Sequence, residues 1–146
     1  MREAIIRTKM EEIKESLKLI EENLPQKFED FDKLGRLLKD GIYKRVEFSI
    51  ENVLDICRII NTDLKLGIPK EEEDIINNLV KNGILSKEMG EKIKAMRGFR
   101  NFLVHRYGGI DDRIAFKEIK RGLKDFYSFL KEIDHFLSQQ SERKWI

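Results

Sequence analysis

Phe116-Lys117-Glu118-Ile119-Lys120-Arg121-Gly122-Leu123-Lys124-Asp125-Phe126-Tyr127-Ser128-Phe129-Leu130-Lys131-Glu132-Ile133-Asp134-His135-Phe136-Leu137 is the stretch whose reading decides the fold class. Phe116, Ile119, Leu123, Phe126, Leu130, Ile133 and Leu137 recur in steps of three and four, which draws one apolar line down a helix. Phe129 and Phe136 widen that line beyond the narrow seam of a lone coiled coil. A helix with so broad an apolar stripe must be covered by other helices, by a second subunit, or by both. Asp111 or Asp112 is placed to cap its start, and His135 belongs to its polar side.

Working outward, the same rhythm recurs upstream. Ile6, Met10, Ile13, Leu17, Ile20 and Leu24 mark a first helix that ends near Pro25. A short connection through Phe28 and Phe31 has room for a helical turn. A second long helix follows Gly41 and carries Ile50, Val53, Cys57, Ile60 and Leu64, closed by Leu66-Gly67-Ile68-Pro69. Ile75, Ile76, Leu79 and Val80 form a short helix between an acidic first turn, Glu71 to Asp74, and a stop at Asn82-Gly83. Ser86 is a natural N-cap for the next helix, through Met89, Ile93, Met96 and Leu103. The pattern predicts an all-α fold: a single domain over residues 1–146, built as an antiparallel up-and-down bundle of four to five helices, with residues 139–146 as a frayed tail.

The composition agrees. Two prolines and nine glycines in 146 residues argue against a turn-rich β architecture. A net charge of +2 excludes a bulk nucleic-acid coater, so any contact with RNA or DNA must be local. The one cysteine, Cys57, lies in an apolar stripe and reads as a buried reduced thiol. The charged N-terminal stretch and the lack of any membrane-length apolar segment predict a cytoplasmic chain without membrane association.

Chemistry concentrates at the end of the fourth periodic segment, in Arg100-Asn101-Phe102-Leu103-Val104-His105-Arg106-Tyr107, followed by Gly108-Gly109 as a helix stop. At 100° per residue, Met89, Ile93, Met96, Arg100, Leu103 and Tyr107 share one stripe, so Arg100 stands where the pattern asks for an apolar side chain. Such a guanidinium either snorkels, pairs with a carboxylate, or faces a groove where it can receive an anion. His105 lies about 140° round the helix from Arg100 and about 7.5 Å along it. Asn101 and His105 are one turn apart, close enough for the amide to orient the imidazole. Arg97 and Arg106 add local positive charge and are candidate RNA contacts. No His/Cys/Asp cluster at metal-ligand spacing, phosphate-cradling glycine loop or nucleophile elbow is present, so neither a metal nor a cofactor is expected.

The run from Gly98 to Tyr107, with its arginine, four residues, histidine, one residue and tyrosine, followed by Ile110-Asp111, resembles the motif of HEPN-domain ribonucleases, and within them the HepT-like toxins. Leu66-Gly67-Ile68-Pro69 and Gly83-Ile84-Leu85 extend that resemblance over most of the chain. It implies a HEPN-like bundle and a metal-independent endoribonuclease that works as a homodimer, the motifs of two protomers lining one cleft. On that resemblance Arg100 binds the scissile phosphate, His105 is the general acid or base, and Asn101 supports them. The resemblance further implies a type VII-like toxin–antitoxin pair in which a nucleotidyltransferase antitoxin of the MNT type silences the toxin by attaching AMP to Tyr107.

The elementary chemistry fits. Attack by a 2′-hydroxyl on its own phosphodiester needs a base, an acid for the leaving oxygen, and a cation for the charge building on phosphorus. One protomer offers a single suitable histidine, and a two-fold dimer offers two. A reading of a different class is a noncatalytic helical module that presents substrate or nucleotide to a nucleotidyltransferase. A third is a plain bundle in which Arg100 is only an ion-pair partner.

Overall fold

The computed structural model describes residues 1–105 and 109–143, the side chains of Glu142 and Arg143 excepted. The regular elements of the described residues are all helices: α1 (Glu3–Asn23), α2 (Phe28–Asp32), α3 (Arg36–Asp63), α4 (Glu72–Lys81), α5 (Lys87–Val104) and α6 (Asp112–Arg143). Four long helices make the bundle. The pairs Arg2–Asp63, Lys9–Asp55 and Glu12–Asn52 run in opposite order along α1 and α3, so these two are antiparallel. Arg7–Asp134, Glu21–Tyr127 and Gln26–Lys120 do the same for α1 and α6, and Ser86–Glu132 with Lys92–Asp125 for α5 and α6. The order α1, α3, α5, α6 is therefore up-and-down, as the apolar rhythm predicts.

Among the described residues there are six helices where four to five are expected. The additional one, α2, is a single turn that drives Phe31 fully into the core against Phe28, Tyr43 and Phe116. A second correction concerns α3, which begins at Arg36 rather than after Gly41. Leu37 is 87% exposed, so apolar burial does not recruit this first turn. Charge does: Arg36 bonds Asp40 one turn on at 3.0 Å, and Arg36 and Lys39 both reach Asp112 of α6 at 3.4 Å. Gly41 is carried inside the helix at a cost of about 1 kcal/mol, which the burial of Ile42 and Tyr43 outweighs.

Stripe residues of all the long helices meet in one contiguous core. On α6, Phe116, Ile119, Phe126, Phe129, Leu130, Ile133, Phe136 and Leu137 are all buried within this one chain. The wide stripe thus needs no second subunit to cover it. Asp111 caps α6, its Oδ1 accepting the backbone N–H of Arg113 at 2.9 Å and of Ile114 at 3.2 Å. The helix also runs to Arg143, into the segment expected to fray, because burial of Phe136 and Leu137 anchors a nucleated helix that extends cheaply. Residues 144–146, including Trp145, lie outside the described residues.

Helix capping and one close approach set how α4 and α5 meet. Glu71 and Asp74 form a capping box that fixes the first turn of α4, Asp74 accepting the N–H groups of Lys70 and Glu71 at 2.9 and 3.0 Å. Those two bonds hold the Asp74 carboxyl below its ordinary range. Gly90 then lets α5 lie close against α4, since a methyl group there would meet Val80 Cγ2 at 2.6 Å. Ser86 caps α5, accepting the Met89 N–H at 3.0 Å. Among the described residues no helix is long and apolar enough to cross a membrane.

Candidate active site

On α5, Met89, Ile93, Met96 and Leu103 are buried and face the core. Arg100 shares their stripe and is itself largely covered, with 16% of its side chain exposed. The local rule broken in the sequence is therefore a real burial of charge, and that requires partners. They come from two other helices. Nη1 donates to Glu51 of α3 at 2.8 Å, Nη2 donates to Glu72 of α4 at 3.4 Å, and Nε and Nη2 donate to Asn101 Oδ1 at 3.4 and 3.2 Å.

Glu72 is the centre of a larger network. It also accepts Arg97 Nε at 2.9 Å and a bond from Arg58 Nη2, and Arg58 in turn holds Asp55. Three guanidiniums and three carboxylates thus meet where α3, α4 and α5 converge. Glu51, Asp55 and Arg58 escaped the sequence reading, although their spacing of four and three places them on one charged line beside the apolar line of Ile50, Val53, Cys57 and Ile60. A charged stripe flanking an apolar one was the available signal. Without the packing of α3 on α5, nothing tied it to Arg100.

His105 is exposed and occupies the C-cap of α5, where φ −93° and ψ 37° leave helical geometry and its backbone N–H bonds Asn101 O at 3.2 Å. The structure brings Arg97 and Arg100 together at Glu72, with Asn101 bonded to Arg100, while Arg100 turns toward α3 and α4 and His105 stands at the helix end. The Asn101 side-chain oxygen accepts from Arg100 Nε and Nη2. Arg106 and Tyr107 lie outside the described residues. Among the described residues, no group of three or more His, Cys, Asp or Glu side chains is arranged to hold a metal ion. Burial pushes the Cys57 thiol up to about 12, so this group is an inert part of the core. His135 is exposed on α6.

Just past the motif, the chain re-enters the bundle at a second polar cluster. Asp112, in the first turn of α6, accepts a bond from the Tyr43 hydroxyl and ion pairs from Arg36 and Lys39 at 3.4 Å. Burial pushes the Asp112 carboxyl up, but the bonds from Tyr43 and Arg36 and the neighbouring cations prevail, leaving it below its ordinary range. The Tyr43 hydroxyl is displaced upward, first by burial and then by its bond to Asp112.

A model of the ribonuclease HepT-like family matches residues 13–133. The mRNA nuclease HepT of Shewanella oneidensis is 29% identical over 96 residues, spanning 66% of this chain and 72% of that protein. The tRNA nuclease HepT of Aphanizomenon flos-aquae is 31% identical over 84 residues, spanning 58% and 57%. A tri-AMPylated HEPN toxin of Shewanella oneidensis, solved in complex with MNT antitoxin, superposes with a TM-score of 0.80 at 27% identity, covering 90% of this chain and 97% of the toxin. With 121 consecutive residues matched by the family model and the fold shared along nearly its whole length, this chain belongs to the HepT-like ribonuclease family.

Proposed function

We propose that this chain is a metal-independent endoribonuclease toxin acting in the cytoplasm, with Arg100 and His105 as its catalytic pair and a nucleotidyltransferase antitoxin as its partner. The observation that carries the reading is Arg100: a buried guanidinium in an apolar stripe, held by side chains from three helices, one and a half turns before an exposed histidine. A family of ribonucleases gives that arrangement its chemistry. Arg100 neutralises charge on the scissile phosphodiester. One imidazole takes the 2′-hydroxyl proton as O2′ attacks phosphorus, and another protonates the departing 5′-oxygen, leaving a 2′,3′-cyclic phosphate and a free 5′-hydroxyl.

Each chain supplies a single motif histidine, so two roles call for two chains. The homodimer is therefore part of the reading, and its reason is catalytic, since α6 buries its own stripe. Asn101 supports Arg100, while Arg97 and Arg106 guide RNA. The toxin–antitoxin relatives support silencing by AMP attached to Tyr107. A phosphodiester there would bring negative charge near Arg100 and compete with the RNA phosphate.

The deciding experiment is cleavage of RNA by the purified unmodified chain in EDTA, beside Arg100→Ala and His105→Ala. Loss of roughly 100-fold or more in each variant is expected. Unchanged cleavage in both would overturn the site, and an inert wild type would favour the noncatalytic partner of a nucleotidyltransferase. Intact mass after co-expression with the transferase tests Tyr107, an unmodified tyrosine in a silenced complex counting against its role.

A further inference from the structure

Arg100 has five N–H groups, and hydrogen bonds among the described residues use four of them, leaving a single one on Nη1. A phosphodiester that engages the guanidinium through paired N–H groups must therefore replace a partner already there. The two carboxylates are not equivalent in this respect. Glu72 is 21% exposed and is gripped by Arg58 and Arg97 as well as by Arg100. Releasing it would take from Arg97 the ion pair it makes among the described residues and leave Arg58 with Asp55 alone. Glu51 is 43% exposed and, among the described residues, has Arg100 as its one ion-pair partner. Its carboxylate can swing into water without being left buried and unpaired, while Arg100 keeps its bonds to Glu72 and Asn101.

Charge balance points the same way. Arg58, Arg97, Arg100 and Lys9 face Glu51, Asp55 and Glu72, so the carboxylates do not outnumber the cations. Exchanging Glu51 for a single phosphodiester, which also carries one negative charge, leaves the charge count at the convergence of α3, α4 and α5 unchanged. Glu51 also holds Nη1 at 2.8 Å, the shortest bond Arg100 makes among the described residues.

We propose that Glu72 is a positioning residue that fixes the direction of Arg100, and that Glu51 is a displaceable carboxylate holding the place on Nη1 that a phosphate oxygen of RNA takes over. Arg58 belongs to the same device, as the anchor that keeps Glu72 in place from α3. This proposal rests on the ribonuclease reading of Arg100 and His105.

The test uses the full-length unmodified chain, a labelled oligoribonucleotide pool that the wild type cleaves, and the variants Glu72→Gln, Glu51→Gln, Arg58→Met and Arg100→Ala. Affinity for the uncleaved pool is measured in a His105→Ala background. Glu72→Gln is expected to lower kcat on the order of tenfold with KM no higher than wild type, because charge repulsion falls while Arg100 loses its direction. Arg58→Met should lower kcat in the same sense without touching Arg100. Glu51→Gln should tighten RNA binding and lower KM roughly two- to fivefold. Urea midpoints of every variant separate these effects from loss of folded protein, since a smaller folded fraction cannot lower KM. Unchanged kcat in Glu72→Gln, or weaker RNA binding in Glu51→Gln, while Arg100→Ala is inactive, would overturn the proposal and leave the ribonuclease reading standing. Full activity in Arg100→Ala would instead overturn the reading on which it rests.

Discussion

Two carboxylates in this molecule each collect three donors, and they do different things. Asp112 receives Tyr43, Arg36 and Lys39, and Glu72 receives Arg58, Arg97 and Arg100. Around Asp112 the donors are of three kinds. The ammonium of buried Lys39 lies 5.8 Å from the Phe31 ring, and the cluster ties the first turn of α6 to α3. Around Glu72 all three donors are guanidiniums, two of them about one-third exposed, with the additional carboxylate Glu51 open to solvent beside them. A centre closed by mixed donors over an aromatic ring acts as a lock. A bank of arginines with one loosely held anion is able to exchange that anion for another.

The sharpest way to break this contrast is Asp112→Ala. Among the described residues it leaves buried Lys39 with only the exposed Asp32, at 3.6 Å, to balance it, and it takes the partner from the Tyr43 hydroxyl. Stability should fall by about 3 kcal/mol in urea unfolding at neutral pH. A loss below about 0.5 kcal/mol would show that the cluster is not a lock.

The lock also has a pH signature, of smaller size at any one pH. The folded-state Asp112 carboxyl lies below its unfolded value, so its contribution is complete above the unfolded pKa, about 3.9, and is lost as pH falls through the folded value. Tyr43 is displaced upward, so its contribution is complete below about pH 10 and declines as the solution becomes more alkaline. The stability difference between wild type and Asp112→Asn should accordingly be flat near neutrality and shrink at both ends of the pH range. A difference that stays constant down to pH 3 would remove Asp112 from the account.

The two clusters were unequally legible in the sequence. Apolar periodicity announces the helices because it is local: each stripe of α1, α5 and α6 is written in steps of three and four. It also announces Arg100, as the residue that breaks a stripe. The partners of Arg100 are 49 and 28 residues away, and nothing local marks Glu51 or Glu72 as the ones that meet it. Asp111 and Asp112 were interchangeable as caps in the sequence. Structure separates them, one to the backbone of α6 and the other to the lock. The start of α3 was hidden for a related reason: its first turn is held by charges on α6, while its own leucines face water.

The mirror of Asp112→Ala is Arg100→Met, which restores the apolar stripe of α5 that the sequence interrupts. Glu51 then returns to solvent, and Glu72 keeps Arg58 and Arg97, so no buried charge is left alone. Replacing a buried ion pair by an apolar side chain of similar length is often neutral or stabilising. Unfolding free energy should therefore stay within about 1 kcal/mol of wild type, or rise, while RNA cleavage is lost. A comparable drop in stability from both substitutions would make the arginine bank a second lock. Stability kept and activity lost would mean that Arg100 is retained at the core for what it does to a phosphate, since the bundle holds together as well without it.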